Sequence, residues 1–147
     1  MKIDQKSYRT IQPLFGADGQ KKVGINSVER FLGDEAIAQG WEFDPVELTS
    51  GKKVLVVGSG PSGLSAAYHL HRLGHEVVIR EAAPLPGGMM RYGIPSYRLP
   101  REIIDAEISR IERFGVKIEC NTKVADIPAI FEVGFSAVFL AVGAHLG

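Results

Sequence analysis

Three glycines separate an apolar run from a helix-like run in the segment VLVVGSGPSGLSAAYHL, residues 54–70. Gly58, Gly60 and Gly63 have the spacing G-x-G-x-x-G. The preceding run KKVLVVG has the length and apolar character of a strand buried on both faces of a parallel sheet. Residues 62–73 then predict a helix that ends at Gly74. A strand, a glycine turn and a helix in this order constrain the chain to alternating β and α elements.

The alternation continues along the chain. HEVVIRE predicts a second strand and VKIEC a third, and SAVFLAVG predicts a further buried strand. Residues 101–114 predict a helix, because Pro100 precedes them and Gly115 follows them. We therefore predict an α/β fold, a Rossmann-like domain over residues 51–147, with a parallel β-α-β-α-β unit and one further strand.

The first fifty residues have a different character. Residues 1–24 are polar and rich in turn signals, which predicts an extended arm. Asn26 followed by Glu29 resembles a capping box, and the apolar residues after it recur at helical spacing as far as Gly40. Residues 1–50 are therefore predicted to form an N-terminal arm and a short amphipathic helix.

Composition excludes several functional classes. Seventeen Lys and Arg balance seventeen Asp and Glu, so the overall charge favours neither nucleic acid nor an anionic membrane as a partner. No apolar run approaches the about 18 residues of a membrane span, and the N-terminus lacks the apolar core of a signal peptide, so we expect a cytoplasmic location.

The single Cys120 excludes an internal disulfide and is expected to be a buried structural thiol. His71 and His75 are four residues apart, but Gly74 interrupts the helix between them, and no metal site is predicted.

The glycine turn predicts an anionic ligand held by backbone. Gly58 allows the tight turn, Gly60 lets the backbone approach a pyrophosphate, and Gly63 lets helix and strand pack closely. The helix N-terminus supplies unpaired N–H groups and positive potential, which fits the absence of Lys and Arg from residues 54–70. Glu81 follows Gly58 by 23 residues, near the spacing of the acid that binds an adenosine ribose, and its charge disfavours a 2′-phosphate. These residues fit FAD and NAD equally.

A longer motif distinguishes the two cofactors. The segment EAAPLPGGMMRYGIPSYRLPREIIDAEI, residues 81–108, resembles the FAD-binding segment of the glutamate synthase small subunit and its relatives, including the N-terminal flavin part of dihydropyrimidine dehydrogenase. The resemblance runs from about Pro13 to the end and is strongest over residues 52–118. It implies FAD in an extended pose, with the pyrophosphate on the first glycine turn and the flavin near the double glycine.

The resemblance also assigns the remaining site residues. It implies that Arg98 lies against FAD, that backbone near Val124 contacts the adenine, and that Gly143 lies in a turn over the cofactor, where Val142 replaces the family's threonine. Without the resemblance, surface charge explains Arg91 and Arg98 as well. The full set of predicted cofactor-binding residues is Gly58, Ser59, Gly60, Pro61, Ser62, Gly63, Glu81, Ala82, Gly87, Gly88, Met89, Arg98, Val124, Ala141 and Gly143.

Two departures from the family shape the expected function. The cysteines that hold iron-sulfur clusters upstream of the FAD motif in these relatives are absent here, and no second G-x-G-x-x-G follows. We therefore expect the FAD-binding portion of a flavin-dependent NAD(P)H oxidoreductase that passes electrons from NAD(P)H through FAD to an acceptor. NADPH or NADH would bind only where a C-terminal region or a partner polypeptide supplies its domain, so this chain alone is not expected to turn over, and no residue is assigned a catalytic role. The alternatives are a non-catalytic nucleotide-binding or partner-docking module, or a plain NAD-binding domain.

Overall fold

The computed structural model describes residues 24–144, so the predicted arm lies outside the described residues except for Gly24. The chain divides into two compact units, Met1–Trp41 and Glu42–Gly147. Each unit is described by itself.

The described part of the first unit is one helix, α1, Ile25–Ala38. Ala36 is buried and Phe31 is half-buried, in keeping with the predicted amphipathic pattern. The predicted capping box is wrong: Gly24 is the N-cap, its carbonyl accepts the N–H of Val28 at 3.1 Å, and no side chain caps the helix. Asn26 already has helical geometry there, so its side chain is not at the position that a capping box requires.

The second unit is built on four parallel strands in the order β3-β2-β1-β4. The strands are β1 Lys53–Val57, β2 Glu76–Arg80, β3 Lys117–Glu119 and β4 Ala137–Leu140. The helices are α2 Pro61–Arg72, α3 Gly88–Tyr92, α4 Arg101–Phe114 and α5 Ile127–Glu132. The predicted α/β Rossmann-like architecture is confirmed, and the carboxyl ends of all four strands meet at one edge of the sheet.

Both faces of the central strand β1 are buried, as the apolar run KKVLVVG predicts. One face packs with α2 and α4 in a cluster of eight buried residues: Val56, Leu64, Ala67, Val77, Ile79, Ile104, Ile108 and Val116. The other face packs with α5 and the residues after it in a smaller cluster: Leu55, Val57, Val78, Ile130 and Phe135. These two clusters hold β1 and β2 in place and so fix the loops that follow them.

The prediction that the last strand is buried is wrong. In β4, Phe139 is 41% exposed and Leu140 is 61% exposed, and only Val138 packs against the smaller cluster. β4 pairs with β1 alone among the described strands, and apart from Val138 its side chains lie outside the apolar clusters that cover the two faces of the sheet.

Local signals decide which helices are predictable. The predicted bounds of α4 agree with the structure, with Pro100 at its N-cap and Gly115 at its C-cap. The short helices α3 and α5 are not predicted; α5 begins where the carboxylate of Asp126 accepts the N–H of Ala129 at 3.2 Å.

Of the helices between residues 24 and 144, none has the length and apolarity to cross a membrane.

Cys120 follows β3 and is half-buried rather than fully buried. Burial, together with the negative charges of Glu81 and Glu112, raises the pKa of its thiol. A raised pKa lowers the thiolate fraction at neutral pH, which agrees with the expected structural role.

Candidate dinucleotide-binding site

The first glycine turn lies at the carboxyl edge of the sheet and connects β1 to α2. Gly58 has φ +102°, and a Cβ there would overlap the carbonyl of Ala141. A Cβ on Gly63 would overlap the carbonyl of Gly58 and lie 3.4 Å from the Cβ of Ala141. Gly58 and Gly63 are therefore needed for the close approach of β1, α2 and the residues after β4.

Gly60 differs from its two neighbours because space beside it is open. Its φ is −71°, and no atom lies within 4 Å of the place a Cβ would take. Leu64 donates the N–H that bonds the carbonyl of Gly60, at 3.0 Å, so the N–H groups of Ser62 and Gly63 have no acceptor within the helix. With Pro61 at the first helical position, this end of α2 presents open backbone and positive potential to the solvent side.

Glu81 directly follows β2 and its carboxylate is held by three hydrogen bonds. It accepts the N–H of Ser59 at 2.9 Å, the hydroxyl of Ser59 at 2.6 Å and the N–H of Ala83 at 2.8 Å. Burial raises the pKa of Glu81, but these bonds and one from the backbone of Ala82 outweigh it, so the pKa lies below its usual value. The carboxylate is therefore ionised at neutral pH and has a fixed position beside the glycine turn.

Ser59 joins this acid to a second turn. Its side chain is fully buried, and its hydroxyl oxygen also accepts the N–H of Gly87 at 3.2 Å. The same N–H approaches the carbonyl of Ser59 at 3.1 Å. The hydroxyl, the N–H and the carbonyl of Ser59 therefore all bond other parts of the protein, and Ser59 supports the two turns rather than offering a free N–H to a ligand.

The second turn is the double glycine before α3. Gly87 has φ +120° and Gly88 has φ +50°. A Cβ on Gly88 would lie 2.7 Å from the Cα of Gly60, so the two glycine turns lie against each other. Met89 follows with its side chain 70% exposed.

Of the remaining predicted residues, Ala141 lies against the first glycine turn. Ala141 donates its N–H to the carbonyl of Val57 at 2.8 Å, and Gly143 has φ +73° with open space beside it. Val124 packs its side chain into the smaller apolar cluster. Arg98 is exposed, and within residues 24–144 no ion pair or side-chain hydrogen bond joins it to either turn. Its predicted contact with the cofactor therefore stays a prediction.

Sequence reasoning missed one residue beside these turns. Arg91 is buried, and its guanidinium bonds the carbonyl of Pro86 and the carboxylate of Asp105. No short-range signal could have shown this, because the partner Asp105 lies on α4, fourteen residues further along the chain.

The fold and the first turn define the class of protein. Residues 56–114 match the family model of the NAD(P)-binding Rossmann-like domain. This match and the parallel sheet together define the class of the fold as Rossmann-like.

Relatives then define the family. The chain is 42% identical over 130 residues to the NADP(+)-dependent formate dehydrogenase subunit beta of Moorella thermoacetica, covering 86% of this chain and 18% of that protein. It is 38% identical to the NAD-dependent dihydropyrimidine dehydrogenase subunit PreT of Salmonella typhimurium, covering 86% and 31%. It is 37% identical to the glutamate synthase [NADPH] small chain of Bacillus subtilis, covering 84% and 26%. The predicted family is confirmed: the chain is homologous to the glutamate synthase small chain and its relatives.

A solved structure gives the same fold. A 2-naphthoyl-CoA reductase in complex with 2-naphthoyl-CoA superposes with a TM-score of 0.58 at 31% identity, covering 71% of this chain and 16% of that one. The chain spans less than a third of the length of the three curated relatives above.

Proposed function

We propose that this chain binds FAD in an extended pose across its two glycine turns and forms the FAD-binding part of an NAD(P)H oxidoreductase. The observation that carries the proposal is the contact between the turns, where a Cβ on Gly88 would lie 2.7 Å from the Cα of Gly60. A single glycine turn fits any dinucleotide, whereas two turns in contact offer backbone to both halves of an extended FAD.

The residues present fit such a cofactor. The open side of Gly60 and the free N–H groups of Ser62 and Gly63 suit a pyrophosphate. The fixed, ionised carboxylate of Glu81 suits the hydroxyls of an adenosine ribose. The exposed Met89, after the double glycine, would lie toward the flavin half.

FAD, when bound, supplies the redox chemistry, because its flavin accepts a hydride and passes electrons on. The residues of this chain hold and orient it, and none has a catalytic role in the proposal. The nicotinamide donor would bind to a domain outside these residues. The names of the relatives, which include NAD- and NADP-dependent dehydrogenases and an NADPH glutamate synthase, support a nicotinamide donor. The expected cytoplasmic location stays a prediction.

Titration of the purified chain with FAD, followed by flavin fluorescence, tests the proposal. Gly60→Ala is the informative variant, because its φ suits alanine and its Cβ meets no protein atom. The methyl group would instead occupy the space proposed for the pyrophosphate. We expect at least about a tenfold loss of FAD affinity with an unchanged unfolding midpoint, since a lost charge-assisted hydrogen bond has about this effect.

Gly33→Ala is the matched control. Gly33 lies in α1, its added Cβ also meets no atom within 4 Å, and it lies in the other unit. This variant should bind FAD like the wild type. Equal FAD binding by the wild type and Gly60→Ala would contradict the proposed site.

A plain NAD-binding domain is the second candidate, and the family model that matches residues 56–114 favours it. NAD as a competitor in the same titration separates the two candidates. Tight NAD binding together with undetectable FAD binding would replace the first proposal with this one.

A partner-docking module is the third candidate, and the exposed edge strand β4 favours it. Phe139 is 41% and Leu140 is 61% exposed, which suits a surface covered by a polypeptide that carries the nicotinamide-binding domain. Co-purification of such a polypeptide in the absence of FAD binding would support docking without cofactor binding.

A further inference from the structure

Arg91 is the only charged side chain that is buried among the described residues, with 8% of it exposed. It lies in the short helix α3, directly after the double glycine. Burial of a guanidinium is unfavourable unless its N–H groups find acceptors. The groups that accept hydrogen bonds from Arg91 therefore indicate its structural role.

One acceptor adjoins the double-glycine turn and the other lies on α4. Nε donates to the carbonyl of Pro86, the residue before the turn, and Nη2 donates to Oδ1 of Asp105 on α4. A Cβ on Gly87 would lie 3.2 Å from the Cβ of Arg91 and 3.4 Å from its Nε. The guanidinium thus connects the start of the turn to the long helix α4, and its stem packs against the glycine that follows.

A second arginine holds the residues beyond the turn. Arg101, at the start of α4, donates to the carbonyl of Ile94 at 2.8 Å and to the carbonyl of Met90 at 3.1 Å. The segment that carries the double glycine is therefore held to α4 at both ends, and Arg91 holds the end nearest Gly60.

We infer that Arg91, anchored by Asp105, is a positioning residue that sets the double-glycine turn against Gly60 and so shapes the side of the site facing the flavin half of FAD. This inference rests on the proposed function. Arg91 does not itself touch the cofactor in this arrangement, because its guanidinium is committed to Pro86 and Asp105. A planar guanidinium is suited to this task, since it bonds two acceptors in a fixed geometry.

Arg91→Gln and Arg91→Lys, compared with Arg113→Gln, test the inference. Arg113 also pairs with a carboxylate, that of Glu42 at 2.9 Å, but its side chain is 53% exposed. FAD and ADP are each titrated into every variant, because ADP lacks the flavin half. We expect Arg91→Gln to weaken FAD binding about tenfold and ADP binding less than threefold, the effect of losing a charge-assisted bond. Arg91→Lys keeps a charge for Asp105 and should recover part of the loss, whereas Arg113→Gln should bind both ligands normally.

Amide exchange in the ligand-free protein gives a readout that does not depend on FAD. The N–H of Gly87 is bonded to Ser59, and it should exchange about tenfold faster in Arg91→Gln, while the N–H of Leu64 in α2 keeps its wild-type rate. Unchanged exchange at Gly87, or equal losses of FAD and ADP affinity, would overturn the inference. Absence of FAD binding by the wild type would instead overturn the proposed function, and the exchange rates would still decide whether Arg91 sets the turn.

Discussion

Ser59, in the first glycine turn, connects two other parts of the site through one buried hydroxyl. The hydroxyl donates to Glu81 at 2.6 Å and accepts from Gly87 at 3.2 Å. The acid proposed for the ribose and the turn proposed for the flavin half therefore share one support. The sequence identifies Ser59 only as a member of the glycine motif, since neither its burial nor its bond to Gly87 is encoded at short range.

Ser59→Ala should destabilise the chain by about 1–3 kcal/mol, because it removes a charge-assisted hydrogen bond and leaves buried groups less well satisfied. Urea unfolding at pH 7 measures this change. Ser65→Ala is the control, since Ser65 is exposed on α2, the helix that follows the turn containing Ser59. Equal unfolding midpoints for the two variants would show that the Ser59 hydroxyl has no structural role.

Glu81 makes stability depend on pH, and the sign follows from its lowered pKa. A carboxylate whose pKa is lower in the folded state stabilises that state at pH values above its unfolded pKa of about 4.3. This contribution is lost as the pH falls through the folded pKa. Glu81→Gln should therefore be less stable than the wild type at pH 7, and the difference should shrink as pH falls below about 4. Urea midpoints across this range, with exposed Glu47→Gln as the control, measure the effect. A difference that is constant with pH would contradict it.

At the scale of elements, the sequence predicts those helices and strands whose ends are marked by Pro or Gly or whose apolar residues follow a regular pattern. The helix α4 is predicted with its observed bounds because Pro100 and Gly115 mark its ends. The strand β1 is predicted as buried on both faces because a continuous apolar run of this length is typical of a strand in a parallel sheet covered on both faces. The short helix α3 is not predicted, because it begins at a double glycine and is held by Arg91 and Arg101 rather than by local propensity.

Burial of the last strand could not be predicted for a related reason. An apolar run indicates a strand, but whether that strand has neighbours on both sides is a property of the sheet. The run SAVFLAVG contains β4, an edge strand of the described sheet, and Phe139 and Leu140 lie outside both apolar clusters and are exposed. The roles of Arg98 and Val124 stay predictions, because they came from resemblance rather than from packing or spacing.

The packing of α2 on β1 depends on Gly63. An added Cβ would overlap the carbonyl of Gly58 and touch the Cβ of Ala141 at 3.4 Å. Gly63→Ala should therefore destabilise the chain by about 1–3 kcal/mol, the usual range for overpacking. Thermal unfolding followed by circular dichroism measures this loss. Gly60→Ala, three residues earlier with open space beside it, is the matched control, and equal melting temperatures for the two variants would show that the packing adapts.

At the scale of the whole molecule, the described sheet has two edge strands, β3 and β4, and β4 carries exposed apolar side chains. The edge strand β4 pairs only with β1 in the part of the chain that the structure describes. Its side chains Phe139 and Leu140 are exposed, as is Val142 just beyond it at 52%. An apolar edge with unpaired backbone groups is a template for pairing with another polypeptide.

Because β4 is an exposed apolar edge strand, we expect the purified chain to self-associate as its concentration rises. We expect Leu140→Lys to reduce this association. A lysine on an edge strand disfavours pairing because its charge would have to be desolvated, whereas the folded chain keeps its stability because Leu140 is already 61% exposed. Sedimentation velocity over a concentration series measures the effect. Leu48→Lys is the control, since Leu48 is 81% exposed but lies outside the strands. Equal association of the two variants would show that contacts other than those of β4 hold the copies together.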